Sequence, residues 1–317
     1  MINKRALEFN FAWMFALIVG AAIIGLAIYF AVSFVKTGNS ANNAELGKEL
    51  GTILSPIETN LEITKSPTPI TFPTNTRIYN DCDLNGNFGT QLISVVAESS
   101  IGDKWAKPKN PTKLSNKYLF SSSIVEGKAF YILVAPFNMP YKIADLIIMW
   151  SEKERYCFVN PPNDIASDIQ DFNLKNINIT ENARECVNST KVCFSGSDCE
   201  INVDSNSKSV KRKGEKTVYY DDKYGNSLLY AAIFSNSLVY ECQLKRLMKR
   251  NSELSSLYLS KSLLLNSQGC GSSVLQPLFA QYATKTKGMN NTVEIRSIST
   301  LAQGIEDENK ILSCKVF

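Results

Sequence analysis

The chain has 317 residues, 44% of them hydrophobic, and a formal net charge of +4 at pH 7. This apolar content is enough for one large core or two modest ones, and the charge is too small to favour a nucleic-acid partner. Histidine is absent, which excludes histidine-based acid–base catalysis, Ser–His–Asp and Cys–His nucleophiles, and histidine metal ligands. The expectation is a protein without enzymatic activity and without a cofactor, and catalysis that needs no histidine is kept as an alternative below.

An uncharged apolar run occupies residues 9–35. At 1.5 Å rise per residue, a helix of this length spans the roughly 30 Å hydrocarbon core of a bilayer. Lys4 and Arg5 precede the run, so the positive-inside rule predicts a cytoplasmic basic leader over 1–8 and an extracellular location for the bulk of the chain. The run is longer than the apolar region of a cleavable signal. The sequence therefore predicts a single-pass cell-membrane protein with a transmembrane helix over 9–35.

Small residues inside this run suggest a helix-packing surface. Ala16 and Gly20, and likewise Ala21 and Gly25, are four residues apart, which lets a second helix approach closely. Glu8, at the predicted membrane edge, needs a partner or water. The alternatives are that small residues are common in membrane helices and that Glu8 is solvated beside the basic leader. The expected partners are the bilayer, other membrane or surface proteins, and further copies of this chain.

The first residues of the chain resemble those of archaeal type IV pilin-like proteins. The match covers residues 4–35: the basic Lys4 and Arg5, the small Ala6, the acidic Glu8, and then the long apolar run. The resemblance implies a structural subunit that assembles through its N-terminal helix after a short leader is removed. The wider pattern also resembles uncharacterised single-pass surface proteins of small-genome archaea, which implies a surface location and no particular activity.

Residues 36–80 follow as a polar stalk and a spacer rich in proline and threonine. Pro56, Pro67, Pro69 and Pro73 fix φ and remove backbone donors, so the sequence predicts an extended spacer that contributes at most an edge strand.

Residues 81–234 predict a β-rich α/β ectodomain. Runs of β-branched and aromatic residues predict strands, and they lie at 91–97, 117–121, 129–135, 146–150, 156–160, 177–180, 192–194, 201–203, 217–220 and 228–234. Two prolines and an acidic first turn predict a helix over 164–172. A strand–helix–strand unit of this length favours parallel pairing of 156–160 with 177–180. Residues 140–145 are a candidate for one further short helix.

Residues 235–317 predict a helical hairpin or bundle packed on the ectodomain. Ser237 is a suitable N-cap for a helix that runs to about residue 266 and ends at Gly269. Shorter helices are expected from Ser273 and over 292–305. The predicted fold class is thus α+β or mixed α/β, with an N-terminal transmembrane helix, a mixed β-sheet ectodomain and C-terminal helices.

Eight cysteines follow the apolar run, and none has the two-residue spacing of zinc or redox motifs. In an extracytoplasmic chain this predicts up to four disulfides, with free buried thiols as the alternative. The pairing stays open, although Cys186, Cys193 and Cys199 are close enough for one local bridge. The full set is Cys82, Cys157, Cys186, Cys193, Cys199, Cys242, Cys270 and Cys314.

Three Asn-x-Ser/Thr sequences, at Asn178, Asn188 and Asn290, are candidate glycosylation sites. In a chain rich in asparagine and serine, some of these matches are expected by chance.

Asp81, Asp83 and Asn85 open a D-x-D-x-N-G sequence, which supplies oxygen ligands at the alternate positions that calcium requires. The twelfth position is Leu92, where an EF-hand needs a bidentate glutamate. The preferred interpretation is therefore a plain Asn-Gly turn, and no metal is predicted.

Two groups of basic residues could bind acidic surface polymers, glycans or lipid head groups. The alternative is that they form a solvated hairpin tip and a solvated helix face. They are Lys211, Arg212 and Lys213 at the tip and Lys245, Arg246, Lys249 and Arg250 on the helix.

The function predicted from these features is a structural or adhesive component of a cell-surface assembly. One alternative is a membrane-tethered ligand-binding or sensory ectodomain with a pocket near Asn160 and Ser235. A further alternative is a carboxylate-dependent glycan hydrolase, which needs two acids roughly 5–10 Å apart across one cleft.

Overall fold

The computed structural model describes residues 15, 17–30, 47, 50–51, 66–99, 105, 110–194 and 199–317. Within these residues the fold is α+β and contains two six-stranded sheets with helices between and beside them. The predicted leader, Glu8, Ala16 and most of the predicted stalk lie outside the described residues.

The first sheet is antiparallel except for one short parallel pair at its edge, between β4 and β6. In spatial order its strands are β3 (Thr112–Leu114), β2 (Thr90–Ala97), β1 (Thr68–Asp83), β5 (Ile124–Asn138), β6 (Lys142–Ser151) and β4 (Leu119–Phe120). Side chains of β6 alternate between two cores, because Ile148 and Trp150 face one hydrophobic cluster and Ile147 and Met149 face another.

The second sheet is mixed. Its strands lie in the order β12 (Val218–Tyr219), β11 (Ser209–Arg212), β10 (Ile201–Asp204), β9 (Thr190–Cys193), β7 (Tyr156–Val159) and β8 (Ile177–Thr180). Strands β8, β7, β9 and β10 are parallel, and β11 and β12 continue antiparallel. The predicted parallel pairing across the helix at 164–172 is confirmed, since Tyr156 pairs with Ile177 in that register.

Five α-helices accompany the sheets in the region from residue 163 onward. They are α1 (Asn163–Phe172), α2 (Ser227–Phe234), α3 (Ser237–Ser267), α4 (Leu275–Lys287) and α5 (Ile295–Ile311). Every residue of α2 is buried, because this helix packs against strands of both sheets. The N-cap of α3 is Asn236 and not the predicted Ser237: the Asn236 side chain accepts a hydrogen bond from Val239 N and so satisfies one of the unpaired donors of the first turn.

Three described helical residues of the N-terminal part, Gly47, Leu50 and Gly51, form a segment that contacts one face of the first sheet. Leu50 is 1% exposed and belongs to the hydrophobic cluster of that face. A Cβ atom at Gly47 would lie 2.5 Å from Thr112 Oγ1, and one at Gly51 would lie 2.8 Å from Leu114 Cδ2. The two glycines therefore let the segment pack closely on β3.

Because of this close approach, replacing glycine by leucine should have opposite effects on the free energy of unfolding at Gly47 and at Gly304. Gly47→Leu should lower the free energy of unfolding by about 2 kcal/mol, because the new side chain overpacks the contact with β3. Gly304→Leu in α5, where a Cβ meets nothing within 4 Å, should raise it by up to about 1 kcal/mol through helix propensity. Urea unfolding of both variants checks the pair, and an increase for both would contradict the packing of the segment.

The predicted transmembrane helix over 9–35 is wrong for the described part of the chain. Residues 15 and 17–30 are helical there, yet no described helix is long and apolar enough to cross a membrane. A spanning helix needs about 20 consecutive apolar residues. The longest described helix, α3, has 31 residues but carries charged and polar side chains along its length.

The structure also differs from the predicted spacer, because Thr68–Asp83 is a 16-residue strand inside the first sheet. The pairing of β1 with β5 is interrupted between Thr71 and Thr76. Pro73 lies in that irregularity, where the missing N–H removes no ladder hydrogen bond.

Two further local predictions are wrong. Residues 228–234 form helix α2 and not a strand, because an apolar run buried on all sides has no periodicity that separates the two structures. The candidate helix at 140–145 lies at the start of β6 and in the turn before it.

Candidate functional site

A groove opens where β1, β5 and the first turns of α3 meet. Its volume is about 290 Å³, and it is lined by Tyr79, Asn80, Asp81, Cys82, Ser123, Ile124, Leu238, Val239 and Cys242. Ile124 is 50% exposed and Leu238 is 70% exposed, so both form an apolar rim that is open to a partner. The disulfide between Cys82 and Cys242 lines the same groove.

The groove carries one acidic group. Asp81 is exposed, and its carboxylate accepts a hydrogen bond from Cys82 N at 2.8 Å. Asp81 is the only carboxylate among the lining residues, so the groove does not supply the two opposed acids that glycoside hydrolysis needs. Its chemistry suits the binding of an apolar group.

A buried polar network lies beneath the groove and joins the first sheet to α3. The Gln91 side chain donates to Asn80 Oδ1 at 2.6 Å, and the Asn80 amide donates to Ser121 Oγ at 2.8 Å. Gln243 of α3 donates to Gln91 Oε1 at 2.6 Å. Asn80, Gln91, Ser121 and Gln243 are each at most 2% exposed, and buried amides with this many partners fix the position of a helix on a sheet.

Arg246 extends this network. It is 0% exposed and donates through Nη1 to Lys117 O at 2.8 Å and to Gln243 Oε1 at 2.7 Å, and through Nε to Phe88 O at 3.3 Å. Burial lowers the pKa of Arg246 to about 10, because a low-polarity environment disfavours the charged guanidinium. The group still carries its charge at neutral pH.

The prediction of a basic surface on the long helix is wrong, because Lys245, Arg246, Lys249 and Arg250 are all buried or half-buried. Lys245 pairs with Glu241 at 2.7 Å. Arg250 donates to Ile143 O at 2.6 Å. This face of α3 packs on the first sheet, so Arg246, Lys249 and Arg250 donate to backbone carbonyls, and Lys245 pairs with an acidic residue of its own helix.

The basic hairpin tip fits its prediction in part. Lys211 and Lys213 are exposed, whereas Arg212 is half-buried. Arg212 donates to Ile233 O at 2.7 Å and to Ser235 O, so it binds carbonyls at the C-terminal end of α2. Stabilisation of these carbonyls by a cation is expected from the helix dipole.

The calcium-like sequence forms a turn between β1 and β2 that contacts α3. Asp83 accepts a hydrogen bond from Asn85 N, and Gly86 has φ 78°, which fits a turn. The Lys249 ammonium donates to Leu84 O and to Gly86 O at 3.1 Å. The carbonyls of this loop therefore bind a lysine. Among the described residues no group of three Asp, Glu, His or Cys side chains could hold a metal ion.

All eight cysteines pair, which confirms the predicted disulfides. Their Cα–Cα distances, from 5.5 to 6.4 Å, lie in the usual range. The bonds are Cys82–Cys242, Cys157–Cys186, Cys193–Cys199 and Cys270–Cys314. The expected local bridge is Cys193–Cys199, and Cys186 bonds instead to a cysteine of β7.

Asn160 and Ser235 are not the ends of two neighbouring strands. Asn160 follows β7 and donates to Glu181 O at 3.0 Å. Ser235 caps the end of helix α2, where its hydroxyl donates to Ala231 O. Because α2 is a helix, the second of the two expected strand ends does not exist.

The glycosylation candidates Asn178, Asn188 and Asn290 are all exposed.

Of the proposed helix-packing residues, Gly20, Ala21 and Gly25 lie on the described N-terminal helix, and a Cβ at either glycine meets nothing within 4 Å.

Sequence reasoning missed the residues that build the groove floor. Asn80, Gln91 and Gln243 lie in three separate segments, and nothing in one segment indicates its contact with another. One available signal was the polar character of Gln91 at the start of a strongly apolar strand, which is unusual for a buried position.

Comparison with protein-family models, with curated proteins and with solved structures finds no match to this chain.

Proposed function

We propose that the protein is a non-catalytic structural component of an extracytoplasmic cell-surface assembly and associates with further copies of itself through its N-terminal helix. The observation that carries this proposal is the exposure of that helix. Between residues 15 and 30 the exposed large side chains are Phe15, Leu17, Ile18, Val19, Ile23, Ile24, Leu26, Ile28, Tyr29 and Phe30. Contiguous apolar surface of this kind marks an interaction site.

Other copies of the chain are the occupant that best fits this surface. The exposed side chains surround the helix and none of them is charged, so one flat partner surface would leave part of the helix uncovered. Helices of several copies would cover it on every side. Gly20 and Gly25 leave open space around their Cα atoms, which permits a close helix–helix approach. The resemblance of residues 4–35 to pilin-like proteins implies the same mode of assembly.

The disulfides support an extracytoplasmic location, since such bonds persist in oxidising compartments. Glycans on the exposed Asn178, Asn188 and Asn290 form part of this proposal. Peptide mapping without reductant should recover the four disulfide-bonded peptide pairs. The peptides that contain these asparagines should carry the added mass of a glycan. Eight free thiols would contradict the location.

Association is tested with the full chain extracted in mild detergent. We expect mass measurement to give a multimer for the wild type and a shift toward monomer, with affinity lower by about tenfold or more, for Gly20→Leu/Gly25→Leu, because the added side chains block close helix contact. Ile24→Leu conserves volume and is the control. A wild-type chain that is monomeric under all conditions would contradict the proposal.

The groove favours a second candidate function, the binding of an apolar group from a ligand or partner protein. Its exposed Ile124 and Leu238 support this candidate. Leu238→Ser separates the two functions in the same experiment, because it lies outside the N-terminal helix and should leave multimer formation unchanged. Loss of the multimer in this variant would favour the groove as the assembly contact.

A further inference from the structure

The groove beside α3 contains a carboxylate oxygen without a cation. Asp81 is exposed and accepts a hydrogen bond from Cys82 N through Oδ1 at 2.8 Å. Its second oxygen, Oδ2, has no hydrogen-bond or ion-pair partner among the described residues. The described residues that line the groove include no lysine or arginine. The groove therefore offers one free acceptor that carries a negative charge.

A backbone carbonyl adds a second acceptor. Alternate residues of a strand direct their backbone groups to the same side, and Asn80 N donates to Ser123 O, just before the first residue of β5. Cys82 therefore directs its carbonyl to that side too, where β5 has not yet begun. Cys82 O lies there 3.6 Å from Cys242 Sγ, and a disulfide sulfur has no proton to donate. Adjacent residues thus supply the groove with two acceptors, one of them charged.

The other walls of the groove are apolar. Ile124 and Leu238 form the exposed rim, and the buried Val239 and the Cys82–Cys242 disulfide complete the lining. An aliphatic group placed here gains free energy in proportion to the area removed from water. The ligand that matches both parts of the groove has an aliphatic stem and a cationic donor at its end.

The two acceptors favour an ammonium over a guanidinium. A guanidinium binds a carboxylate best through two parallel hydrogen bonds, one to each oxygen. Asp81 Oδ1 already accepts from Cys82 N, so the two oxygens are not both free for this geometry. An ammonium is a compact charge on a flexible stem, and its three donors can serve Asp81 Oδ2 and Cys82 O together.

We propose that the groove binds a lysine side chain of a partner protein, with the ammonium on Asp81 Oδ2 and Cys82 O and the stem along Ile124 and Leu238. A protein is the occupant because the rim extends the apolar surface beyond the groove: Leu238 is 70% exposed. Apolar neighbours of the lysine would cover this surface, and a free amine would not. The lysine assignment rests on the groove binding proposed above as the second candidate function, and it does not depend on assembly through the N-terminal helix.

Three acetylated peptide amides of sequence Leu-X-Leu, with lysine, norleucine or arginine at X, test this assignment on the full chain in nonionic detergent. The lysine peptide should shift the methyl NMR signals of Ile124 and Leu238. It should bind about fivefold more tightly than the norleucine peptide, which has the stem without the ammonium, and more tightly than the arginine peptide. Raising sodium chloride from about 50 mM to about 500 mM should remove most of the difference between lysine and norleucine.

Two variants of the same strand locate the charge that is recognised. Asp81→Asn should lower the affinity for the lysine peptide about fivefold and leave the norleucine peptide unaffected. Asp83→Asn is the matched control, because it removes the same charge from a carboxylate that accepts a hydrogen bond from Asn85 N in the turn and does not line the groove. It should keep the wild-type affinities. Leu238→Ser should weaken the binding of all three peptides.

Failure of the lysine assignment and failure of the groove function give different results. If no peptide bound, the groove function and the lysine assignment would both be contradicted. Equal affinities for the lysine and norleucine peptides, or equal losses in Asp81→Asn and Asp83→Asn, would leave groove binding intact and overturn the lysine assignment. If n-pentylammonium bound as tightly as the lysine peptide, the choice of a protein partner would be overturned.

Discussion

Removing the Cys82–Cys242 disulfide should lower the free energy of unfolding by about 5 kcal/mol. The bond joins residues separated by 160 positions, and in the chain-entropy model a loop of that length, once closed, restricts the unfolded chain strongly. The same model gives about 2 kcal/mol for Cys193–Cys199, whose separation is 6. The paired variants Cys82→Ala/Cys242→Ala and Cys193→Ala/Cys199→Ala, unfolded in urea without reductant, measure both losses.

The comparison between the two pairs makes this prediction specific. Both double variants remove two sulfur atoms from half-buried or buried positions. Both variants therefore also lose van der Waals contacts around the removed sulfur atoms. A larger loss for the long-range pair would follow from loop closure. Equal losses would contradict this account and would indicate that packing around each bond, not chain entropy, determines its contribution.

The strands and the parallel unit could be predicted from sequence because their signals are local. Residues 91–97 and 129–135 carry β-branched and aromatic side chains, and β2 and β5 contain them. The helix predicted over 164–172 corresponds to α1. In each case the residues that form the element also carry its propensity, so no tertiary information was needed.

The buried centre of the molecule could not be predicted in the same way. Residues 228–234 are an apolar run without a polar face, as suits a helix that packs against strands of both sheets. Such a run is equally consistent with a buried strand. Thr68–Asp83 has the prolines of a spacer, yet the irregular pairing near Pro73 accommodates one of them within a strand. Both outcomes depend on neighbours that are remote in sequence.

The basic residues of α3 illustrate why the candidate site was hidden. Lys245, Arg246, Lys249 and Arg250 have the spacing of one helix face, and that spacing is identical whether the face meets water or a sheet. Charged residues are rarely buried without an ionised partner, so the solvated interpretation was the reasonable one. Only the tertiary structure brings the carbonyl of Lys117 and the carbonyls of the loop between β1 and β2 to this face.

Arg246→Met should lower the free energy of unfolding by about 3 kcal/mol, the larger part of it from buried acceptors that lose their donor. Phe88 O, Lys117 O and Gln243 Oε1 all receive hydrogen bonds from this guanidinium. Methionine has similar length and fills much of the same space, so the loss reports on hydrogen bonding more than on a cavity. Urea unfolding measures the change.

Lys249→Met is the matched control, because Lys249 lies one turn away on the same helix and also donates to two carbonyls of the β1–β2 loop. Those carbonyls lie in an exposed turn, so water can replace the ammonium and the loss should stay below about 1 kcal/mol. Amide exchange adds a local test: Arg246→Met should accelerate exchange in the β1–β2 hairpin and at Leu119, whose N–H donates to Gln91 Oε1 at 3.1 Å. If the two variants lost equal stability, burial would not be what distinguishes Arg246 from its basic neighbours. If exchange at Leu119 were unchanged, the network that joins α3 to the first sheet would not depend on Arg246.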